Sequence, residues 1–350
     1  MNSIVGIIIA AVLGFGISAA LGIKLVPWLH KLKFGQTILD IGPNWHKKKQ
    51  GTPTMGGFMF IIATIAAFLV VAIIDAIMGG KLIAGDSVVP GAVKAKLYGG
   101  LLMAVGFGII GFLDDYIKVK KHQNEGLTVI QKTVLQVILS AAYIATLVIS
   151  NNRFMWMPGW DYGNTAIFCI FTFIVMYATV NAVNFTDGID GLCSSVTITA
   201  AVSFAVMAGI RHLMGTSVLA AALAGACAGY LIWNWHPAKC FMGDTGSMFL
   251  GGMIVALAYD VDCPLLLLLV GIVYVMEGLS DVIQILYFKI TRKIAQRTDP
   301  EATGKRLFKM APIHHHFEKC GWSEKKICYV FSAVNMLGGI AAIILFAAKA

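Results

Sequence analysis

Three histidines in a row, His314, His315 and His316, lie in "APIHHHFEKCG" (residues 311–321) of a chain that is otherwise mostly apolar. Imidazoles in such a run can hold a metal, bind phosphate oxygens or move protons near neutral pH. Zinc is the poorest fit, because consecutive residues rarely converge on one ion and no nearby cysteine completes a familiar spacing. An expression tag is excluded by structured-looking sequence on both sides. Lys305, Arg306 and Lys309 just upstream favour an anion over a metal, and a solvated basic loop accounts for the same composition.

Carboxylates recur in three other places. Asp114 and Asp115 lie in "GFLDDYIKVKK" (111–121), at the end of an apolar run. Acids at membrane depth are costly and mark function by default. Neighbouring helical residues point about 100° apart, so the two acids are expected to play different parts. Paired carboxylates suit an Mg²⁺-phosphate site, since hard cations take oxygen ligands. A local ion pair with Lys118, four residues past Asp114, explains the pattern equally. In "NAVNFTDGIDGL" (181–192), Asn181, Asn184 and Asp187 recur every three residues, then Gly188, Ile189 and Asp190 follow. These are either amides and carboxylates for a base or sugar, or simply a turn.

The stretch "WNWHPAKCFMGDTGS" (233–247) offers Asn234, Phe241, and Asp244 flanked by Gly243 and Gly246. Small residues let backbone approach a ligand. Asp244 suits a metal, and Phe241 gives a flat face for a base or packs against lipid. "KKKQGTPTMGG" (47–57) lacks the spacing of a P-loop. It reads as a turn into a helix, with Lys49 and Thr54 available to a ligand and Lys47 and Lys48 doubling as a topology signal.

The elements that must position these groups are apolar. Of the 350 residues, 58% are hydrophobic and 13% charged, against about 25% charged for a soluble domain. That leaves too little polar surface to cover a globule, so the fold class is an all-α polytopic membrane protein. Ten stretches are long enough to span, near 3–26, 56–78, 97–113, 129–149, 165–182, 194–210, 216–233, 247–262, 264–288 and 327–348. No lysine or arginine precedes the first, which argues against a cleaved signal. The runs lack the alternation of barrel strands. Seven scattered cysteines form no C-x-x-C pair and read as small buried hydrophobes.

Twenty of the 27 lysines and arginines fall in or beside the odd-numbered loops, while five, Lys81, Lys94, Lys96, Arg153 and Arg211, fall in the even-numbered ones. The positive-inside rule therefore puts the odd loops in the cytoplasm and both termini outside. Every polar motif above lies on an odd loop. A transporter would place charges mid-span and show repeated halves. Acids, lysines and amides gathered at one face fit an enzyme of phosphoryl transfer better.

"GTPTMGG", "GFLDDYIK", "NAVNFTDGIDGL", "FMGDTGS" and "APIHHHFE", in this order over essentially the full length, resemble the bacterial phospho-N-acetylmuramoyl-pentapeptide transferases. These belong to the polyprenyl-phosphate N-acetylhexosamine-1-phosphate transferases. The acidic motifs fit the wider superfamily, including its UDP-N-acetylhexosamine branches; "PTMGG" and "PIHHHFE" point to the muramoyl-pentapeptide branch. The resemblance implies one transmembrane domain over residues 1–350, in the bacterial plasma membrane, that transfers phospho-N-acetylmuramoyl-pentapeptide from its UDP donor to undecaprenyl phosphate. The products would be lipid I and UMP, with Mg²⁺ as cofactor, a homodimeric assembly and no nucleic-acid partner. It implies Asp114, Asp115, Asp244 and His314 as catalytic groups, and Asp244 with Asp115 at the metal. Asp187, Gly188, Ile189, Phe241 and Lys49 fall to the uridine pocket, with Asn184 beside it, and His315 joins His314 in the catalytic and nucleotide region. Asn234, Lys118 and Lys132 line the cleft, and Thr54, Asn181, Asp190 and His316 complete the residues expected to bind substrate. Direct attack by the lipid phosphate and a phospho-aspartate intermediate both fit.

Overall fold

A computed structural model describes all residues except 1, 32–48, 50, 81, 83–89, 122, 124, 151–154, 158, 159, 162 and 350. Lys47, Lys48, Lys81 and Arg153 of the charge reading therefore lie outside the described residues. Helices occupy all ten expected places: α1 Ser3–Lys31, α2 Phe58–Ile77, α3 Pro90–Lys120, α4 Val129–Ile149, α5 Thr165–Thr186, α6 Leu192–Ile210, α7 Met214–Asn234, α8 Gly243–Asp260, the pair α9 Leu267–Val270 and α10 Ile272–Ala295, and α12 Glu324–Ala347. The short α11, Ile313–Lys319, carries the histidine run. A two-stranded antiparallel pair, β1 Met155–Met157 and β2 Trp160–Asp161, was not expected and leaves the architecture helical.

Among the described residues, eight helices are long and apolar enough to cross a membrane, and the α9–α10 pair, bent by 86°, makes a ninth if counted as one span. Their outward faces carry residues such as Ile4, Ile8, Ile73, Leu102, Ile138 and Ile174, all exposed, as lipid contact requires. α8 is less apolar than these, for a physical reason. Every residue from Thr245 to Asp260 is buried, with α3 and α5 as its main neighbours. A helix wrapped by protein has no lipid-facing side, so glycines can replace leucines and let neighbouring backbones close in.

Local sequence explains several ends. Thr128 and Gln131 form a capping box that starts α4, Asn164 caps α5, and Ser323 caps α12. α6 starts at Gly191, whose φ of +80° suits glycine. α3 outruns its expected span of 97–113. It continues to Lys120, so Asp114 and Asp115 are helical neighbours, as their reading assumed, beyond the end of the apolar span.

The break between α9 and α10 leaves backbone groups without helical partners in an apolar setting, which is costly. Buried Asn335 of α12 supplies them. Its Oδ1 accepts from Val273 N at 3.3 Å, and its Nδ2 donates to Val270 O at 2.9 Å and Thr199 Oγ1 at 2.8 Å. Asn335→Leu is expected to cost about 2–3 kcal/mol, because it orphans buried donors and acceptors. Thermal unfolding in detergent checks this; an unchanged Tm would mean that the bend holds itself.

Candidate active site

Asp115 gives the site its frame. Residue Met242, where a capping side chain would sit before α8, makes no such bond, so the first N–H groups of that helix need another acceptor. Asp115 of α3 provides it. Its Oδ1 accepts from Asp244 N at 3.2 Å, and its Oδ2 accepts from Thr245 N at 2.9 Å and Thr245 Oγ1 at 2.7 Å. A side chain at Gly243, where φ is +69°, would collide with the Asp115 carboxylate and with Thr54 Oγ1, and one at Gly111 would strike the Asp244 carbonyl. α3, α8 and the segment around Thr54 thus meet with no room to spare.

The approach gathers three acids. Oxygens of Asp114, Asp115 and Asp244 lie within 4.8 Å of one another. Lys118 Nζ is 2.5 Å from Asp114 and 3.3 Å from Asp244. Lys132 Nζ is 2.6 Å from Asp244 and 3.9 Å from Asp114. Asn184 donates to Asp244 Oδ1 at 2.9 Å and to Ser247 Oγ at 2.8 Å. Asp114 also accepts from Leu127 N at 2.9 Å, which ties down the segment before Lys132. The expected division between adjacent acids is realised: Asp114 faces the lysines, Asp115 the start of α8.

Asp187, at the end of α5, adds a fourth carboxylate close enough to feel Asp244 and Asp115. Burial foremost, then Asp244, Asp115 and Asp190, push its carboxyl well above the usual range, against an opposing pull from Lys49. The three grouped carboxylates beside Lys118 and Lys132 leave one negative charge uncompensated when all are ionised, and hard oxygen donors suit a small divalent cation. The residues fit such an ion.

The raised Asp187 carboxyl has a stability consequence. The unfolded chain releases this proton near pH 4, while the folded chain keeps it to higher pH. The folded state therefore binds more protons in between, and this group costs stability as pH rises from about 4. Asp187→Asn is expected to raise Tm at pH 7 without divalent ion, and to match the parent protein at acid pH. Thermal melts across pH check it; equal Tm values at pH 7 would reject it.

A second network lies beside the first. Lys49 Nζ is 2.7 Å from both Asp190 Oδ1 and Glu324 Oε2. His236 Nδ1 is 3.0 Å from Asp190 Oδ2, which also accepts from Ala238 N at 2.9 Å. Asp190 is thereby engaged on both oxygens by protein groups. Asn234 is buried, accepting from Gly191 N at 3.1 Å and donating to Cys240 O at 3.0 Å. It ties the 187–191 turn to the segment carrying Phe241, which bonds through its backbone to Pro53 and Gly56. Ile189 is buried, and Gly188 abuts the His314 ring.

Three expected residues stand outside these networks. Asn181 donates to Gln136 at 3.0 Å and to Tyr177 O at 2.7 Å, in the seam between α4 and α5. His316 accepts from Lys309 N at 3.1 Å and packs edge-on against Phe308 and Phe317, shaping its own loop. His315 pairs with Glu318 at 2.6 Å.

The sequence reading missed Ser247, His236, Glu324 and Glu277. Glu277, paired with His314 at 2.9 Å, carried a signal: an acid in an apolar run, with Asp281 four residues on, the same rule that singled out Asp114. His236 and Glu324 carried none.

Residues 97–262 match the family model described as Glycosyl transferase family 4. A phospho-N-acetylmuramoyl-pentapeptide-transferase of Clostridium botulinum (strain Alaska E43 / Type E3) is 43% identical over 330 residues, covering 94% of this chain and 93% of that protein. Proteins of the same name from Bacillus thuringiensis (strain Al Hakam) and Bacillus cereus (strain AH187) are each 40% identical over 338 residues, covering 95% of both chains.

Proposed function

Because the chain belongs to the phospho-N-acetylmuramoyl-pentapeptide transferases, we propose that it makes lipid I and UMP from UDP-N-acetylmuramoyl-pentapeptide and undecaprenyl phosphate at the cytoplasmic face of a bacterial plasma membrane. It is a membrane-embedded transferase of peptidoglycan synthesis. The observation that carries the finer reading is the convergence of Asp114, Asp115 and Asp244 from two distant helices within 4.8 Å, flanked by Lys118 and Lys132. Ten passes with both termini outside are favoured by the charge asymmetry of the loops. One domain over residues 1–350 and a homodimer are carried over from the family.

In this reading Asp244 would hold Mg²⁺, with Asp115 lending a second oxygen while it anchors α8. Bound there, Mg²⁺ would neutralise charge on the donor's diphosphate. Lys118 and Lys132, now paired with the acids, turn to phosphate oxygens when the donor arrives. Asp114 orients the lipid phosphate or takes its proton. An oxygen of that phosphate then attacks the sugar-linked phosphorus, and the bond from this phosphorus to the oxygen of UMP breaks. Positioning and charge compensation do the catalysis, since three phosphates at close range repel one another. Lys49, Thr54 and Phe241, with the 187–190 turn, hold the uridine.

The test is incubation of purified protein with UDP-N-acetylmuramoyl-pentapeptide, undecaprenyl phosphate and Mg²⁺. UMP release is expected, and UDP-N-acetylglucosamine should give none. Release from the latter instead would move the chain to the other branch, and transport without UMP would reject the enzyme.

A further inference from the structure

We infer that Glu277 is a positioning residue for His314, fixing one imidazole nitrogen so that the other is presented at the Gly188 turn to an oxygen of the donor's diphosphate. This rests on the transferase reading for the identity of that oxygen. The geometry rests on the chain alone. Both side chains are 0% exposed, and His314 Nδ1 lies 2.9 Å from Glu277 Oε2. The same oxygen is 3.5 Å from the backbone N of His314. One carboxylate oxygen thus holds the ring and the chain that carries it. Donation of the Nδ1 proton to Glu277 sets the tautomer and ring direction, as an acid behind a working histidine does.

The other nitrogen is the telling one. His314 Nε2 is buried with no hydrogen-bond partner among the described residues. A Cβ built on Gly188 would fall 2.1 Å from it, so the ring edge lies against glycine backbone where any side chain would displace it. Gly188 directly follows Asp187, which feels Asp244 and Asp115. The turn therefore joins the ring to the acid cluster. Leaving a buried polar nitrogen unsatisfied costs about 1–3 kcal/mol. An imidazole that merely filled space would be replaced by an apolar ring at lower cost, and Glu277 would then be a buried acid with no purpose. Glu277 stands six residues beyond Gly271, the start of α10, so the bend held by Asn335 also sets where the carboxylate falls.

The test compares Glu277→Gln, which keeps an oxygen to accept the Nδ1 proton, with Glu277→Leu, which does not. Glu277→Leu and His314→Ala should each lower kcat/KM for the nucleotide donor by about 100-fold. Their double variant should be scarcely worse than either, since the two act as a unit. KM for the lipid should stay unchanged, and Glu277→Gln should recover most of the loss. In parallel, ¹⁵N NMR of histidine-labelled protein, with the His314 signal identified by its loss in His314→Ala, should show Nδ1 protonated in the parent and in Glu277→Gln but mixed tautomers in Glu277→Leu. Additive losses, a fully active Glu277→Leu, or a mixed tautomer in the parent or in Glu277→Gln would overturn the inference. A parent protein that releases no UMP would sink the transferase reading instead, while the NMR arm still decides the pair. Should Glu277→Leu not fold, the parent and Glu277→Gln spectra decide it.

Discussion

Asp244→Asn is expected to lower UMP release by about 10³-fold or more while Tm changes by less than the equivalent of about 1 kcal/mol. The activity loss follows from charge. Removing a full negative charge from the group that faces both lysines takes away the oxygen proposed above to hold a divalent ion, and a loss of that size corresponds to about 4 kcal/mol of barrier. The small stability change follows from geometry. The amide is the same shape as the carboxylate, and its oxygen still accepts from Asn184. The pairs lost are to Lys118 and Lys132, which are 33% and 22% exposed, and partly solvated pairs contribute little. Mg²⁺ should raise the Tm of the parent by mass action and leave that of the variant nearly unmoved. Normal turnover by Asp244→Asn would remove the metal role.

The neighbouring acid should behave in the opposite manner. Asp115→Ala is expected to cost about 2–3 kcal/mol of stability and at least about 100-fold in turnover together. Its carboxylate accepts two N–H groups and a hydroxyl at the start of α8, and loss of a cap in a buried setting costs that much. Asp244 belongs to the same first turn, so its carboxylate would lose its placement as the helix frayed. Chemical denaturation and UMP release on the same preparations check both halves. Undiminished stability with lost turnover would remove the bracing role and leave Asp115 only its part at the metal.

Apolarity made the ten helices legible, because membrane depth leaves few alternatives to a helix. It misjudged α3, whose charged last turns end an apolar window although the backbone bonds continue to Lys120. The break at Gly271 was invisible, since its cause, Asn335, lies 64 residues away on another helix. Motifs named the acids but not their division of labour. That Asp115 braces α8 while Asp114 faces lysines depends on which face of α3 meets which neighbour. Asn181 and His316 were read by composition and turn out to satisfy nearby groups. Asp190 was chosen for a ligand, and the chain engages both its oxygens with Lys49, His236 and Ala238.

α8, surrounded on all sides, has a bearing on how the protein is made. A segment this rich in glycine and capped by acids at both ends, Asp244 and Asp260, partitions poorly from the translocon into bare lipid. α3 and α5, its main neighbours, precede it in the chain and offer the protein surface that bare lipid does not, so faults in α3 or α5 are expected to surface as failed insertion of α8 as well as slow chemistry.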